Sequence, residues 1–327
     1  MTRNAEDRVV LDVEDLRMRY GTTEVLKGVT FQVRQGEVVC LLGPNGAGKT
    51  TTMEILEGFR TRSGGRVQVL GTDPAHGGDA WRARVGVVLQ SWRDHGRWRV
   101  RELLAHLGMY YGCYATARVP RPWDPDRLVA AVGLTAQAHA KVRTLSGGQR
   151  RRLDVAVGLV GRPELLFLDE PTAGLDPVAR RAFHGLVAGL AEEWRPTIVL
   201  TTHDLHEAQQ LADRIVVLSD GRIVADGSVA HLAERIVGED EVRWTHEGRR
   251  HVRRTRDSTR FAFGLFQRYG DAVSDLEVRK ATLEDTYLAL VGQRSAAHTG
   301  RPVAGAVAAT AEEGAAEEGV AEEGARR

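Results

Sequence analysis

The sequence predicts an α/β fold around a mainly parallel β-sheet, followed by a small α+β unit. Residues 37–42, 165–168 and 197–201 form almost continuously apolar runs, which are typical of strands buried on both faces of a parallel sheet. Between the last two runs, apolar residues recur at the spacing of one helix face: Phe183, Leu186, Val187, Leu190 and Trp194. Strands that alternate with helices indicate this fold class.

The other elements follow in chain order. Residues 9–33 predict two β-strands joined by a turn at Gly21, an antiparallel part ahead of the parallel sheet. Residues 93–140 are rich in tryptophan and tyrosine and predict a helical insertion between sheet strands. Residues 215–225 hold an Asp-Gly pair between two apolar runs, which predicts a hairpin.

The length of 327 residues allows about two domains. Residues 1–8 are expected to form an N-terminal extension, and residues 9–235 the larger domain, with a helical subdomain at about 91–160. Residues 236–292 predict a small accessory unit whose helix has the apolar residues Phe261, Leu265, Phe266 and Tyr269. Residues 293–327 repeat Ala-Glu-Glu-Gly three times and are expected to be disordered.

Composition excludes several classes of function. The 45 basic and 44 acidic residues give a net charge of +1, which favours neither a nucleic-acid partner nor an acidic substrate. Two cysteines cannot form a disulfide framework or a cysteine-based zinc site. The chain lacks both an apolar run of the ~18 residues needed to cross a bilayer and the apolar stretch of a signal peptide. We therefore expect a soluble protein of a reducing compartment, not a pore.

A phosphate-binding loop follows the first buried run. The motif G-x-x-x-x-G-K-[ST] is matched by Gly43, Pro44, Asn45, Gly46, Ala47, Gly48, Lys49 and Thr50. Glycines let the backbone wrap a phosphate, and the following helix adds its positive end. In such a loop, Lys49 reaches the β- and γ-phosphates and Thr50 offers its hydroxyl to Mg²⁺. The alternative is that this segment is a glycine-rich turn that binds no ligand. A buried strand before it and a predicted helix after it disfavour this alternative.

Two acids end the second buried run. Asp169 and Glu170 follow four apolar residues, at the strand end where parallel sheets place ligands. Asp169 is expected to hold Mg²⁺, and Glu170 to act as the general base for the attacking water. A solvated strand end explains such a pair equally well when it stands alone. The phosphate-binding loop in the same chain favours the functional interpretation.

Residues 145–149, Leu-Ser-Gly-Gly-Gln, form a second candidate for phosphate binding, here named the signature segment. They precede a helix predicted to begin near Arg150, so the serine hydroxyl and glycine amides lie at a helix N-terminus. A second phosphate surface in one chain implies that it serves a nucleotide held elsewhere. A Ser-Gly-Gly turn is the alternative when the segment is taken in isolation.

With these motifs in this order, residues 9–232 resemble the ATP-binding subunit of an ABC transporter. The Walker A loop extends to Thr51 in that resemblance, which also implies roles for residues that are unremarkable alone. Tyr20 matches the aromatic that stacks on adenine. Gln90 matches the glutamine that contacts Mg²⁺ and the attacking water, and His203 the switch histidine near the γ-phosphate. Asp176 lies in the matching D-loop, where Ala173 replaces the commoner serine.

The resemblance implies ATP and Mg²⁺ as cofactors and a head-to-tail homodimer. Each ATP is expected between Lys49 and Thr50 of one copy and the signature segment of the other, that is Ser146, Gly147, Gly148 and Gln149, with Asp176 nearby. A separate multispan membrane permease is expected to dock on residues 93–114, which places the chain at the cytoplasmic side of the membrane. No nucleic-acid partner is expected.

Residues 282–288 are similar to a motif of drug-exporting ATPases of the daunorubicin-resistance type, which suggests a hydrophobic drug or lipid as the transported substance. A capped surface helix is the alternative for this softer motif. The basic run at 249–256 can contact anionic lipid or nucleic acid, but 41 of the 45 basic residues are arginine, which favours a solvated strand face.

Two other functions are alternatives for a chain with a phosphate-binding loop. A soluble ABC ATPase that acts on nucleic acid or ribosomes usually has a coiled-coil insert, zinc-binding cysteines or two cassettes, and the sequence shows none of these. A P-loop kinase or GTPase has no use for the signature segment, and no Asn-Lys-x-Asp guanine motif is found.

Overall fold

The computed structural model describes residues 8–89, 95–235 and 240–279. In these ranges the strands are β1 Val9–Tyr20, β2 Thr23–Arg34, β3 Val38–Leu42, β4 Gly64–Val69, β5 Val85–Val88, β6 Leu165–Leu168, β7 Thr197–Thr202, β8 Arg214–Ser219, β9 Arg222–Ser228, β10 Asp240–His246, β11 Arg249–Thr255 and β12 Val273–Arg279. The helices are α1 Lys49–Leu56, α2 Asp79–Arg82, α3 Val100–Met109, α4 Pro125–Ala131, α5 Gly147–Leu159, α6 Pro177–Trp194, α7 Leu205–Leu211, α8 Val229–Arg235 and α9 Ser258–Tyr269.

The largest sheet has six strands in the order β5-β6-β7-β3-β8-β9. All neighbours are parallel except β8 and β9, which form the predicted hairpin. Every residue of β3, β6 and β7 is buried, because helices and a second sheet cover the two faces. The prediction of a mainly parallel sheet from three apolar runs is confirmed.

A second, antiparallel sheet has the order β2-β1-β4 and contains the two predicted N-terminal strands. Its inward side chains share one apolar core with one face of the parallel sheet. Leu11 and Leu26 contribute from the antiparallel sheet, and Leu41 and Phe167 from the parallel one. This packing holds the phosphate-binding loop, which follows β3, against the second sheet.

The turn between β8 and β9 connects these layers. Asp220 and Gly221 have φ values of 47° and 71°, as a type I′ hairpin turn requires. The Gly221 amide donates to the carbonyl of Ala47 at 3.2 Å, and the Gly221 carbonyl accepts from the Lys27 amide at 2.8 Å. A Cβ at Gly221 would lie 2.2 Å from the Val25 carbonyl oxygen, so only glycine fits here.

The helical insertion comprises α3, α4 and α5 between β5 and β6. Its helices share a core with α6 and the other face of the parallel sheet. Phe183, Val187 and Leu190 of α6 are buried, which confirms the predicted helix face. The rings of Trp123 and Trp194 stack with centroids 4.5 Å apart and thereby join the insertion to the end of α6.

A third sheet, in the order β11-β10-β12, has α9 packed on one face. Val242, Leu265 and Val273 form its small core, whereas Phe266 of the predicted apolar helix is 49% exposed. The predicted boundary at 236, the motif at 282–288 and the tail at 293–327 lie outside the described residues. Among the helices of the described ranges, none is both long and apolar enough to span a bilayer.

Candidate active site at the carboxyl edge of the parallel sheet

The phosphate-binding loop connects β3 to α1 by a tight turn. Gly46 and Gly48 have φ values of 80° and 104°, a backbone region that favours glycine. A Cβ at Gly48 would lie 2.6 Å from a methyl group of Leu26. The first turn of α1 leaves the amides of Lys49 and Thr50 without intrahelical acceptors. The loop therefore presents backbone donors and a helix N-terminus to an anion.

The ammonium of Lys49 is held inside this loop. Its side chain is 5% exposed, and Nζ donates to the carbonyls of Gly43 at 2.9 Å and Pro44 at 3.2 Å. The same Nζ lies 3.4 Å from Oε1 of Glu170. The predicted phosphate ligand and the predicted general base are therefore adjacent.

The acid pair at the end of β6 is fixed by a residue of the neighbouring strand. The Thr201 hydroxyl donates to Oδ1 of Asp169 at 2.6 Å and accepts from the Glu170 amide at 2.9 Å. Glu170 has a φ of 40°, and strained conformations of this kind cluster at functional sites. The sequence analysis missed Thr201, although its position at the end of an apolar strand was a usable signal.

Burial raises the pKa of Asp169, and the nearby Glu170 charge adds to this, while the hydrogen bond from Thr201 acts in the opposite direction. A divalent cation would favour the ionised carboxylate. Carboxylate and hydroxyl oxygens of Asp169 and Thr50 are donors that suit Mg²⁺. No group of three or more His, Cys, Asp or Glu side chains suited to a metal occurs within the described part of the chain.

His203 completes the central group. It follows β7, its side chain is 55% exposed, and its Nδ1 lies 3.5 Å from Oε1 of Glu170. The Glu170 carboxylate therefore lies between an ammonium and an imidazole. The structure brings together Lys49, Asp169, Glu170 and His203 as the sequence predicted.

A buried arginine that the sequence analysis missed supports this group from α5. The Arg151 guanidinium donates to the carbonyls of Leu89 at 2.6 Å and Pro171 at 2.6 Å. It also donates to those of Asp169 at 3.1 Å and Glu170 at 3.5 Å. It links the helix after the signature segment to the ends of β5 and β6. In a chain with 41 arginines, nothing in the sequence distinguished this one.

A third missed residue, Glu57, caps the C-terminus of α1. Burial and the nearby charges of Asp169 and Glu54 raise the pKa of Glu57 to about 8. Its Oε1 is buried and has no hydrogen-bond partner among the described residues. Glu57 is therefore largely protonated at neutral pH.

The signature segment lies at the N-terminus of α5, which begins at Gly147, earlier than the predicted start near Arg150. The Ser146 hydroxyl accepts from the Gln149 amide at 3.3 Å, and the Gln149 side chain accepts from the Ser146 amide at 2.9 Å. This capping box explains the earlier start. Within the described residues, no hydrogen bond or ion pair joins the segment to the phosphate-binding loop.

Two further predicted residues lie at the end of β1 and at the start of α6. Tyr20 is exposed at the end of β1 with the Arg60 guanidinium 5.1 Å from its ring centroid. Asp176 caps α6 by accepting from the amides of Val178 and Ala179. Gln90 lies outside the described residues.

Comparison with known proteins identifies the family. A family model described as ABC transporter matches residues 26–173. The Nod factor export ATP-binding protein I of Ralstonia nicotianae is 43% identical over 235 residues, 71% of this chain and 71% of that protein. This chain belongs to the ABC transporter family. It is an ATP-binding, ATP-hydrolysing subunit of the exporter type.

Other relatives of this ABC ATPase agree. The fluoroquinolones export ATP-binding protein of Mycobacterium tuberculosis is 40% identical over 68% of this chain and 72% of its own. A solved ATP-binding subunit of an ABC transporter matches with a TM-score of 0.60 at 26% identity, over 86% of this chain and 99% of its own. The ADP conformation of another ABC cassette has a TM-score of 0.59 at 23% identity, over 68% of this chain and 92% of its own, and supports the fold alone.

We predict that Thr201→Val lowers kcat for ATP hydrolysis by about tenfold, because groups that orient metal ligands typically contribute 10- to 100-fold. Loss of its hydrogen bond also raises the pKa of Asp169 further, so the acidic limb of the pH–rate profile should move to higher pH. The control is Thr197→Val, which lies at the other end of β7 and whose hydroxyl accepts from the Gly36 amide. Equal losses in both variants would contradict a role for Thr201 at the site.

Glu57→Gln tests the buried carboxyl. Its pKa is about 8 in the folded state and about 4.5 in the unfolded state, so the folded protein keeps a proton that the unfolded chain releases. Stability therefore falls as pH rises from about 4.5 to 8. We expect the variant to gain about 2 kcal/mol at pH ~8.5 and little at pH ~4.5 in urea unfolding. Glu24→Gln, which loses an ion pair with Arg17, should show no such gain.

Proposed function

We propose that this ATPase drives an exporter by closing as a homodimer around ATP and by acting on a separate membrane permease. The observation that carries the proposal is the position of the Glu170 carboxylate, 3.4 Å from Lys49 Nζ and 3.5 Å from His203 Nδ1, beside a glycine loop and a helix N-terminus. A base, a phosphate-binding cation and a proton-carrying side chain thereby meet at one strand edge.

The nucleotide is held by the loop and by Tyr20. The backbone amides of residues 43–51 and the Lys49 ammonium bind the β- and γ-phosphates, and the Tyr20 ring stacks on adenine. Thr50 and Asp169, with Gln90, would hold Mg²⁺, which would neutralise phosphate charge. The buried Asp169 carboxyl suits this role, because an adjacent cation offsets the effect of burial on its pKa.

Hydrolysis proceeds from Glu170. Its carboxylate accepts a proton of the attacking water as general base. His203 contacts both the γ-phosphate and Glu170 and so positions them relative to each other. Lys49 stabilises the negative charge that develops on the phosphoryl oxygens. Thr201 positions both acids through its two hydrogen bonds.

The second copy supplies the other half of the nucleotide site. Ser146 and Gly147 are exposed, and a Cβ at Gly147 would meet nothing within 4 Å. The N-terminus of α5 therefore presents exposed backbone amides to a phosphate of the nucleotide that the partner copy binds. Since one chain carries every predicted element, from Lys49 to His203, two identical copies suffice.

The helical insertion provides the docking surface for the permease. Met109 and Tyr110 at the end of α3 are 69% and 65% exposed. The centroid of the His106 ring lies 5.7 Å from that of Tyr110 and 4.7 Å from that of Trp98. Such a surface suits the apolar centre of an interface. In this proposal the subunit lies at the cytoplasmic face of the membrane. The substrate we propose is a hydrophobic drug or lipid, which the name of the fluoroquinolone-export relative supports.

We predict that Glu170→Gln with ATP and Mg²⁺ elutes as a dimer on size exclusion, because the substitution keeps nucleotide binding but removes the base. Hydrolysis should fall by about 10²-fold or more. Adding Ser146→Arg to this variant should restore the monomer, since the larger side chain keeps the signature segment from contacting the phosphate bound by the partner copy. A monomer in the Glu170→Gln variant alone would contradict the dimer.

Docking is tested by Met109→Glu combined with Tyr110→Glu. A buried, unpaired charge is costly at an interface, so co-purification of a multispan protein from native membranes should drop by about tenfold. ATP hydrolysis by the isolated subunit should be unchanged. Phe263→Glu, at a position on α9 that is 63% exposed, is the matched control. Unchanged co-purification of the double variant would remove the docking assignment.

A further inference from the structure

Strand β11 and helix α9 carry a concentrated positive charge, here named the arginine surface. Residues 249–268 contain one acidic residue, Asp257, against seven arginines. All seven side chains are exposed: Arg249, Arg250, Arg253, Arg254, Arg256, Arg260 and Arg268. The segment has a net charge of +6 in a chain whose total is +1, so acidic residues elsewhere balance it.

The arginine surface is poorly neutralised by its own neighbours. Among the described residues, only Arg254 of the seven has a carboxylate within 4.0 Å, that of Glu241 at 3.7 Å. The Arg253 and Arg268 guanidinium groups lie 5.0 and 5.5 Å from the ring centroids of Phe261 and Tyr269. These aromatic contacts fix the direction of two cations without cancelling their charge.

A groove of about 440 Å³ runs between α9 and β11 inside this surface. It exists because α9 packs over β10 and β12 and leaves the edge strand β11 uncovered. Trp244 and Phe261 line it, and Arg253, Arg260 and Arg268 flank it. A Cβ at Gly264 would meet nothing within 4 Å, so the helix side of the groove is open to an approaching backbone.

The same chain carries a segment of complementary charge and size. Residues 311–325 contain six glutamates, arranged in three adjacent pairs, and no basic residue. The other residues are alanine, glycine and a single valine, so no bulky side chain prevents the backbone from lying in the groove. The net charge of −6 equals in size the +6 of the arginine surface.

The length of the connection permits binding within one chain. Thirty-one residues separate Arg279, at the end of β12, from Ala311. At about 3.3 Å per residue they can reach roughly 100 Å, far more than the dimensions of the third sheet. A connection of this kind gives an effective concentration of about millimolar for the second segment, so even weak ion pairs are reinforced.

We propose that residues 311–325 bind across the arginine surface of their own chain, with their backbone along the groove and their glutamates on its arginines. The bound segment neutralises the arginine surface and excludes other polyanions from it. This inference is independent of the proposed transport function, since it uses only the third sheet and the chain that follows it.

The test measures how fast p-hydroxyphenylglyoxal modifies individual arginines in the full chain, read by peptide mass spectrometry. The variant replaces six glutamates by glutamine, which keeps side-chain size: Glu312→Gln, Glu313→Gln, Glu317→Gln, Glu318→Gln, Glu322→Gln and Glu323→Gln. In low salt, Arg253, Arg260 and Arg268 should react about threefold faster or more in the variant. Salt of about 1 M should make the two proteins equal, because it screens exposed ion pairs. Arg222, exposed on β9, is the internal control and should not change.

Three outcomes overturn the proposal. Equal modification of wild type and variant in low salt shows that the glutamates do not cover the surface. Protection that strengthens with protein concentration assigns the acidic segment to a second copy rather than to its own chain. Protection that requires phosphatidylglycerol vesicles, and is the same in both proteins, identifies the surface as a membrane contact instead.

Discussion

The arrangement of the active site depends on one buried cation, the guanidinium of Arg151. A buried charge is tolerated only where its donors are satisfied, and here the carbonyls of Leu89, Asp169 and Pro171 supply the acceptors. Asp154 adds a carboxylate at 3.9 Å. Burial lowers the pKa of Arg151, and the negative charges of Asp154, Asp169 and Glu207 act against that effect. Because the three carbonyls belong to the ends of two strands, helix α5 cannot shift without moving the backbone of Asp169.

Acidic side chains cluster at this edge of the sheet. Asp169, Glu170 and Glu57 lie near one another, and Lys49 is the cation in direct contact with the group. Burial raises the pKa values of Asp169 and Glu57, and the neighbouring carboxylates add to this effect. Glycine-loop amides and a helix N-terminus add partial positive charge where phosphate is expected. Such a site gains most from a ligand that brings a divalent cation together with its own phosphates.

Sequence reasoning succeeded where one short segment determines the outcome. The apolar runs predicted three buried strands, and motif spacing predicted that Lys49 and Glu170 meet. It failed for Thr201, Arg151 and Glu57, because their importance comes from contacts between segments that are far apart in sequence. Thr201 faces the acids only because β6 and β7 are neighbours in the sheet. Tyr20 and Gln90 rest on family resemblance alone, since neither has a distinguishing pattern.

Two hairpins of this protein share the same turn chemistry and differ in what surrounds it. Gly221 and Gly248 each follow a residue with positive φ. A Cβ at Gly248 would meet nothing within 4 Å, whereas one at Gly221 would clash with the Val25 carbonyl. The Gly221 amide also donates a hydrogen bond to the Ala47 carbonyl. A peptide tag or fluorescent reporter inserted between β10 and β11 would leave its surroundings intact. The same insertion between β8 and β9 would disrupt the contacts between the antiparallel sheet and the phosphate-binding loop. The two turns are therefore similar in conformation but differ in whether they tolerate an insertion.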